Sequence, residues 1–404
     1  MGIELEERSL FGFAGLCLLL IGAGSAALQN SAETLFLKRV GVETLPLAFL
    51  VSSVILAAAT TLVGRWLSSV DRPQWLPRIL FALAVVLIPI WALVSLRAPG
   101  VLAVLLVLVK LLDGIALLVF WIALGDLITG RQAKRLFAPL AAGITIGRLI
   151  GSFGTEPASR IAGIEGLVLF AGGLYALAAA AALFLRRTGR SRGQHEPDPQ
   201  PNAGRLVTDQ RPARVRGTSV RRVWRESRLF RFLVVWSFCA GALGPMLYFQ
   251  FSYAVDLSTR GVDGEQKMLE LYAQFRGWLN FAILVVQLAV SGKLYRRFGL
   301  PMSSSAWPIT YLFGFIWMGI ALNLPIAMAT IAAVRLEGDA VAKPALKILH
   351  NLLPERFRSQ ATGVTEGPAK GLGGAFGNAV VLLPWGERAK LAGVAAALAE
   401  KETP

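Results

Sequence analysis

The sequence predicts an all-α polytopic membrane protein built as two pseudo-symmetric six-helix bundles, and three observations predict it. The first is composition: 55% of the 404 residues are hydrophobic and only 16% are charged, where soluble domains carry about a quarter. The second is the recurrence of apolar runs near the ~20 residues that a ~30 Å bilayer core requires. The third is a repeated piece of punctuation. GRWLSSVDRP (Gly64–Pro73) and GKLYRRFGLP (Gly292–Pro301) each open with Gly and a cation, close on Pro, and follow the second apolar run of their half.

The runs in chain order are Leu10–Asn30, Leu45–Gly64, Ile79–Leu96, Val101–Gly125, Pro139–Phe153 and Gly166–Leu185, then, after a gap, Leu229–Ala254, Leu271–Ser291, Ser305–Leu322, Pro325–Ala342 and Gln360–Leu383. These give eleven spans. Leu391–Ala399 is too short to cross and forms a stub. A β-barrel is excluded, because its strands alternate in polarity over about ten residues. The opening MGIELEERSL has neither a basic n-region nor an Ala-x-Ala-like site, so the first span is not read as a signal peptide. Cys17 and Cys239 both lie inside spans and give no disulfide or metal framework.

The formal net charge is +16, and its distribution points to a membrane rather than to nucleic acid. Between Arg186 and Arg231 stand thirteen Arg against four acids, around the Pro- and Gly-rich run Gly193–Gly204. Cations gather on cytoplasmic loops. With the N-terminus cytoplasmic, those loops hold Arg65, Arg72, Arg78, Arg131, Lys134, Arg135, the Arg-rich segment, Lys293, Arg296, Arg297, Lys347, Arg356 and Arg358. The outer connections hold only Lys38, Arg39, Arg97, Arg160, Arg260 and Lys267 among their main cations, and Arg39, Glu156 and Lys347 are expected to reach the membrane surface.

The two halves share further features. Leu10-Phe11-Gly12-Phe13 opens span one and Leu229-Phe230-Arg231-Phe232 opens span seven. Gly143, Gly147 and Gly151 recur every fourth residue in span five, as do Gly363, Gly367 and Gly371 in span eleven. Small residues at that spacing let helix backbones approach closely in lipid. The predicted division is residues 1–186 as the first bundle, 187–228 as a basic cytoplasmic linker, and 229–404 as the second bundle with its stub. Two such halves are the layout of transporters that rock one repeat against the other, and the arrangement resembles the major facilitator superfamily. GKLYRRFGLP keeps Gly292, Leu294, Arg297 and Gly299 of that family's loop motif, with Arg296 where the motif has Asp.

Ionisable groups within the spans are the candidate site, since each costs roughly 2.5–3.5 kcal/mol at a helix centre and such groups mark substrate paths. The candidate solute-binding cations are Lys110, Arg148, Arg276, Arg335 and Lys343. The candidate polar and gating set is Glu33, Asp113, Asn280, Gln287, Asp339, Glu366 and Lys370. Ser25, Gln29 and Glu33 lie along one side of span one, and Arg335, Asp339 and Lys343 recur every fourth residue in span ten. Lys110–Asp113 and Glu366–Lys370 can equally be self-neutralising pairs, and Pro368 between the latter predicts a bend. Trp121 reads as packing. A basic, partly neutralised cavity suits an anion, because Arg and Lys grip phosphate and carboxylate. No Walker loop, Gly-x-Ser-x-Gly elbow or HExxH motif occurs, so no enzymatic activity, cofactor or metal is expected.

Three blocks carry a closer resemblance. Phe120–Gly154 contains Trp121, Gly125-Asp126, Ala133-Lys134-Arg135, Phe137, Pro139-Leu140 and Gly143; the others are Leu271–Gly299 and Arg335 with Lys343–Gly377. They resemble the bacterial and plastid ATP/ADP antiporter family and its wider bacterial relatives. The resemblance implies nucleotide exchange across a bacterial inner membrane, with Lys110 as a cavity lysine and Glu366 as a cavity glutamate. It also leaves open a non-transporting anchor or sensor for a soluble regulatory partner. A proton-coupled carrier of a small organic anion or drug is the third reading, with Asp113, Glu366 or Glu33 carrying the proton.

Overall fold

The computed structural model describes residues 8–67, 72–127, 130–193, 224–225, 227–351 and 364–383, and among them every regular element is helical. Gly363, most of the 187–228 linker and the 391–399 stub lie outside the described residues, as do the side chains of Asp126, Lys134, Arg135 and Glu366.

The first half begins with α1 (Arg8–Arg39), which stops at Gly41, where a φ of 111° suits glycine, and a short 3-10 turn at Val42–Thr44. Then come α2 (Leu45–Leu67), α3 (Arg72–Ser95) and α4 (Val101–Leu127). The long helix α5 (Gly130–Gly193) breaks at Gly163, with φ 75° and ψ 169°. Its apolar stretch Leu140–Arg187 has 48 residues, about 72 Å of helix at 1.5 Å per residue. That is over twice a ~30 Å bilayer core, so the break makes it two passes, spans five and six.

The second half begins with α6 (Arg228–Ser258), capped by Ser227, whose hydroxyl accepts from the Phe230 N–H at 3.1 Å. Next is α7 (Gly264–Ala289), followed by α8 (Ser291–Ile320), which breaks at Gly299 with φ 76°. The first leg of α8 bends 52° away from α7. Span ten is α9 (Leu324–Glu337), a π-helical segment at Gly338–Ala342 and α10 (Lys343–Asn351). Span eleven is α11 (364–383), which opens with a π turn at Thr365–Ala369 around Pro368.

By length and composition, six described helices can cross a membrane, or seven if the bent α7–α8 pair is one span. The difference from eleven has physical causes: one continuous helix holds spans five and six, Ala306–Ile320 is short, and spans ten and eleven carry charges and π segments.

In the first half α1 packs chiefly on α5, with α4 beside it, and α3 covers α5 and α4. Glycine explains the closeness. A Cβ at Gly147 would lie 2.1 Å from the Leu19 carbonyl oxygen, and one at Gly151 would lie 2.3 Å from that of Ala23. Gly143 is looser, 3.5 Å from the Gly15 oxygen. In the second half the close approach falls elsewhere than the spacing predicts. Gly373 and Gly377 bring α11 to α6, each with a notional Cβ 2.1 Å from a carbonyl oxygen of Phe238 or Ala242. Gly367 meets nothing within 4 Å, and Gly371 faces Ala57 of the first half. The four-residue spacing holds there in another register, at Gly373 and Gly377, beyond the wide turn at Thr365–Ala369.

Candidate functional site

The two halves meet where α5 and α1 face α7, and where α2 faces α6 and α11. Here the membrane-buried charges gather around Glu33 of α1, whose side chain is 1% exposed. It accepts from Gln29 Nε2 at 2.8 Å and from Lys110 Nζ of α4 at 3.4 Å. From the second half it accepts from the Arg276 guanidinium of α7 and the Tyr248 hydroxyl of α6. Arg276 also donates to Tyr248 Oη at 2.6 Å and to Asn30 Oδ1 at 2.6 Å, and lies over the Tyr272 ring at 4.4 Å. Asn30 in turn donates to Thr155 on α5 at 3.0 Å. A single carboxylate thus ties together α1, α4, α6 and α7.

A second cluster sits beside it. Arg148 of α5 donates to both oxygens of Asp113 at 3.1 and 3.0 Å, and Ser25 donates to the same carboxylate at 2.6 Å. Lys110 and Asp113 therefore do not neutralise each other. They share a face of α4, but Lys110 bonds Glu33 of α1, whereas Asp113 bonds Arg148 of α5 and Ser25 of α1. Lys110 also lies 5.2 Å from the centre of the Phe49 ring.

Span ten brings further charges toward these clusters. Arg335 stands 5.9 Å from the Tyr248 ring and acts electrostatically on Lys110. Asp339 pairs with Lys343 and lies within electrostatic reach of Arg335 on its own span and of Arg148 in the first half. Glu337, off this face, accepts from Thr310. Asn280 and Gln287 are half-buried on α7, with Gln287 Oε1 unpartnered. Lys370 is exposed on α11. Trp121 stays in the core of the first half, edge-on to Phe120 at 5.4 Å. Among the described residues, no group of three or more His, Cys, Asp or Glu is placed to hold a metal ion.

A third set of charges joins the halves at the far end of the bundle, opposite the start of α1. Lys38 pairs with Asp256 at 2.9 Å and donates to the Thr259 carbonyl at 3.0 Å. Arg39 forks onto Glu265 at 2.8 and 3.0 Å and reaches Glu165 at 2.5 Å. Gln274 of α7 donates to Glu156 of α5 at 3.1 Å. Arg39 is thus a partner in a network rather than a cation reaching the membrane surface.

Tyr248, Asn30, Asp256 and Glu265 are absent from the sequence-derived set. The last two read as connection residues, and Tyr248 sits in an aromatic-rich run, YFQFSY, where nothing distinguishes it from packing.

No curated protein matches the chain. Among solved structures it is similar to a bacterial homologue of the iron transporter ferroportin in an inward-facing state, at 14% identity, covering 93% of this chain and 91% of that one, with a TM-score of 0.60. It is similar to a D-xylose–proton symporter at 14% identity, covering 92% and 88%, with a TM-score of 0.59. A bacterial homologue of the human lysosomal transporter Spinster, inward-facing and unoccupied, matches at 14% identity over 93% and 82%, with a TM-score of 0.61. At such identities the likeness is one of fold. The profile of the Major Facilitator Superfamily matches residues 10–378, nearly the whole helical bundle, and the chain therefore belongs to the major facilitator superfamily of membrane transporters.

Proposed function

We propose that this transporter carries an anionic solute by alternating access, with the anion held between the halves. One observation carries the reading. Among the described side chains, Lys110, Arg148, Arg276, Arg335 and Lys343 converge with Glu33, Asp113 and Asp339, five cations against three acids inside the bundle. Charge in that solvent is costly and marks a solute path. Lys343, Arg148 and Lys110 keep 55%, 35% and 31% of their side-chain surface exposed, so they are the cations an entering anion meets, while Arg276 stays behind them on Glu33.

The blocks that resemble the ATP/ADP antiporters make nucleotide the anion to test first, with exchange as the mode. The charge pattern supports a cytoplasmic N-terminus in a bacterial inner membrane, which makes the far end the outer one and the described state closed to the outside. Residues 1–186 and 229–404 are then the rocking units, joined by 187–228.

The test is uptake of labelled ATP into liposomes preloaded with ADP, beside empty liposomes and the Lys110→Ala variant. The expected result is uptake that needs internal ADP and is lost in the variant. ATP-for-ADP exchange moves one net charge, worth roughly 2.3 kcal/mol per 100 mV, so a membrane potential should shift its rate. Uptake of another organic anion but not ATP keeps the anion site and removes the nucleotide. Well-folded protein that takes up no anion overturns the reading in favour of an anchor for a soluble partner.

A further inference from the structure

Span ten leaves α-helical geometry at one place, and that place sets which side chains face the cavity. At Gly338–Ala342 the turn is π-helical, and the Lys343 N–H reaches back five residues to the Gly338 carbonyl. In an unbroken α-helix each residue turns about 100°, so Lys343, eight residues beyond Arg335, would stand roughly 80° away around the axis. One extra residue held in a π turn takes back about 100°, which brings Lys343 within roughly 20° of Arg335. The wide turn is thus what aligns the two cations, with Asp339 between them.

Pro344 follows this turn, and having no N–H it cannot serve the Ala340 carbonyl as an α-helical partner; α8 supplies donors instead. Ser291 Oγ donates to the Ala340 carbonyl at 2.7 Å, and Tyr295 Oη donates to the Val341 carbonyl at 2.6 Å. Both come from the short leg of α8 before Gly299. Higher on α8, Trp307 Nε1 donates to the Val334 carbonyl at 3.1 Å, and a Cβ at Gly338 would lie 2.6 Å from that nitrogen. Span ten can be wide here because a neighbour takes up its carbonyls and because residue 338 has no side chain.

We propose that Ser291 and Tyr295 are positioning residues for the solute site: by holding two carbonyls of the π turn they fix the rotation of the lower part of span ten and put Lys343 on the cavity face. This rests on the reading of that face as the anion site, but its test measures rotation alone, so the two can fail separately.

With Cys17 and Cys239 replaced by serine, single cysteines are placed by Lys343→Cys or Ala342→Cys and labelled with a charged, membrane-impermeant thiol reagent on purified protein. In the structure the Lys343 side chain is 55% exposed and Ala342 is fully buried, so position 343 should react and 342 should not. Pro344 has no N–H to give the Ala340 carbonyl in an α-helical turn, so the background carries Pro344→Ala throughout. With Ser291 and Tyr295 intact the order of labelling should hold. With Ser291→Ala/Tyr295→Phe added, the turn relaxes to α-helix, Ala342 takes over the rotation of Lys343, and the order reverses. Tyr295→Phe alone, which removes one oxygen, should move the order part of the way in protein that still elutes as a single species. An unchanged order overturns the proposal. So does equal labelling at both positions, which would mean that the two bonds hold the helix together and do not set its register.

Discussion

Arg276 has the least room for substitution of the residues around Glu33. It spends its guanidinium on Glu33, Tyr248 and Asn30 at once, with 9% of its side chain exposed. Arg276→Ala leaves Glu33 buried with Lys110 at 3.4 Å as its remaining cation. Breaking a buried pair from one side costs roughly 3–5 kcal/mol, and thermal unfolding of the purified variant should show a loss of that order. Adding Glu33→Gln to Arg276→Ala should restore part of it, because the amide needs no cation. If the double variant is no more stable than the single one, the guanidinium's bonds to Tyr248 and Asn30 carry the effect. The sequence made Glu33, Lys110, Asp113, Arg148 and Arg276 legible as groups in the wrong solvent, but not who pairs with whom. Helical period says which residues share a face and is silent on which helix lies opposite, so Lys110 and Asp113 look paired in one dimension and are not in three.

At the scale of an element, the contact of α1 with α5 rests on backbone approaching backbone. Gly147→Ala forces a methyl to 2.1 Å of the Leu19 carbonyl oxygen, which the helices can relieve only by separating. Overpacking of this kind costs typically 1–3 kcal/mol, whereas Gly367→Ala, with nothing within 4 Å, should be close to neutral. Paired unfolding curves of the two variants check the contrast, and equal losses would refute the packing account. The ridge in span five was readable because an uninterrupted α-helix carries a four-residue spacing from residue to residue. In span eleven the spacing crosses Pro368 and a π turn. The contacting glycines there, Gly373 and Gly377, lie outside the series that begins at Gly363. Likewise the number of spans could be read from apolar runs, while the merging of spans five and six into one broken helix turns on the backbone of Gly163 alone.

For the whole molecule, the question is what keeps the halves together at the far end. On the proposed rocking mechanism the apolar faces come apart with every cycle, so a state closed at this end would need contacts that are specific and individually weak. Lys38–Asp256 and Arg39–Glu265 fit, lying about one and a half turns beyond Glu33 on the same helix. The sequence places Lys38 and Arg39 among the six cations of the connections it assigns to the outside, without showing that acids from the other half meet them. Part-exposed pairs contribute roughly 0–1 kcal/mol each, and losing one to two kcal/mol changes a two-state ratio about 5–30-fold. Spin labels at exposed Glu43 and Val262, one on each half at this end, would read that ratio as a distance distribution. The intact protein should give mainly the short distance. Lys38→Glu together with Arg39→Ala should add a long-distance population, and Asp256→Lys on top of Lys38→Glu should recover the short one by rebuilding the pair with its charges exchanged. High salt should weaken the Arg39–Glu265 pair, 23% and 36% exposed, more than Lys38–Asp256, 12% and 14% exposed, because screening acts chiefly on solvated charge. A distribution that ignores both charge reversal and salt would place the closing energy on the Glu33 cluster and the apolar faces, and would leave these pairs no part in the cycle.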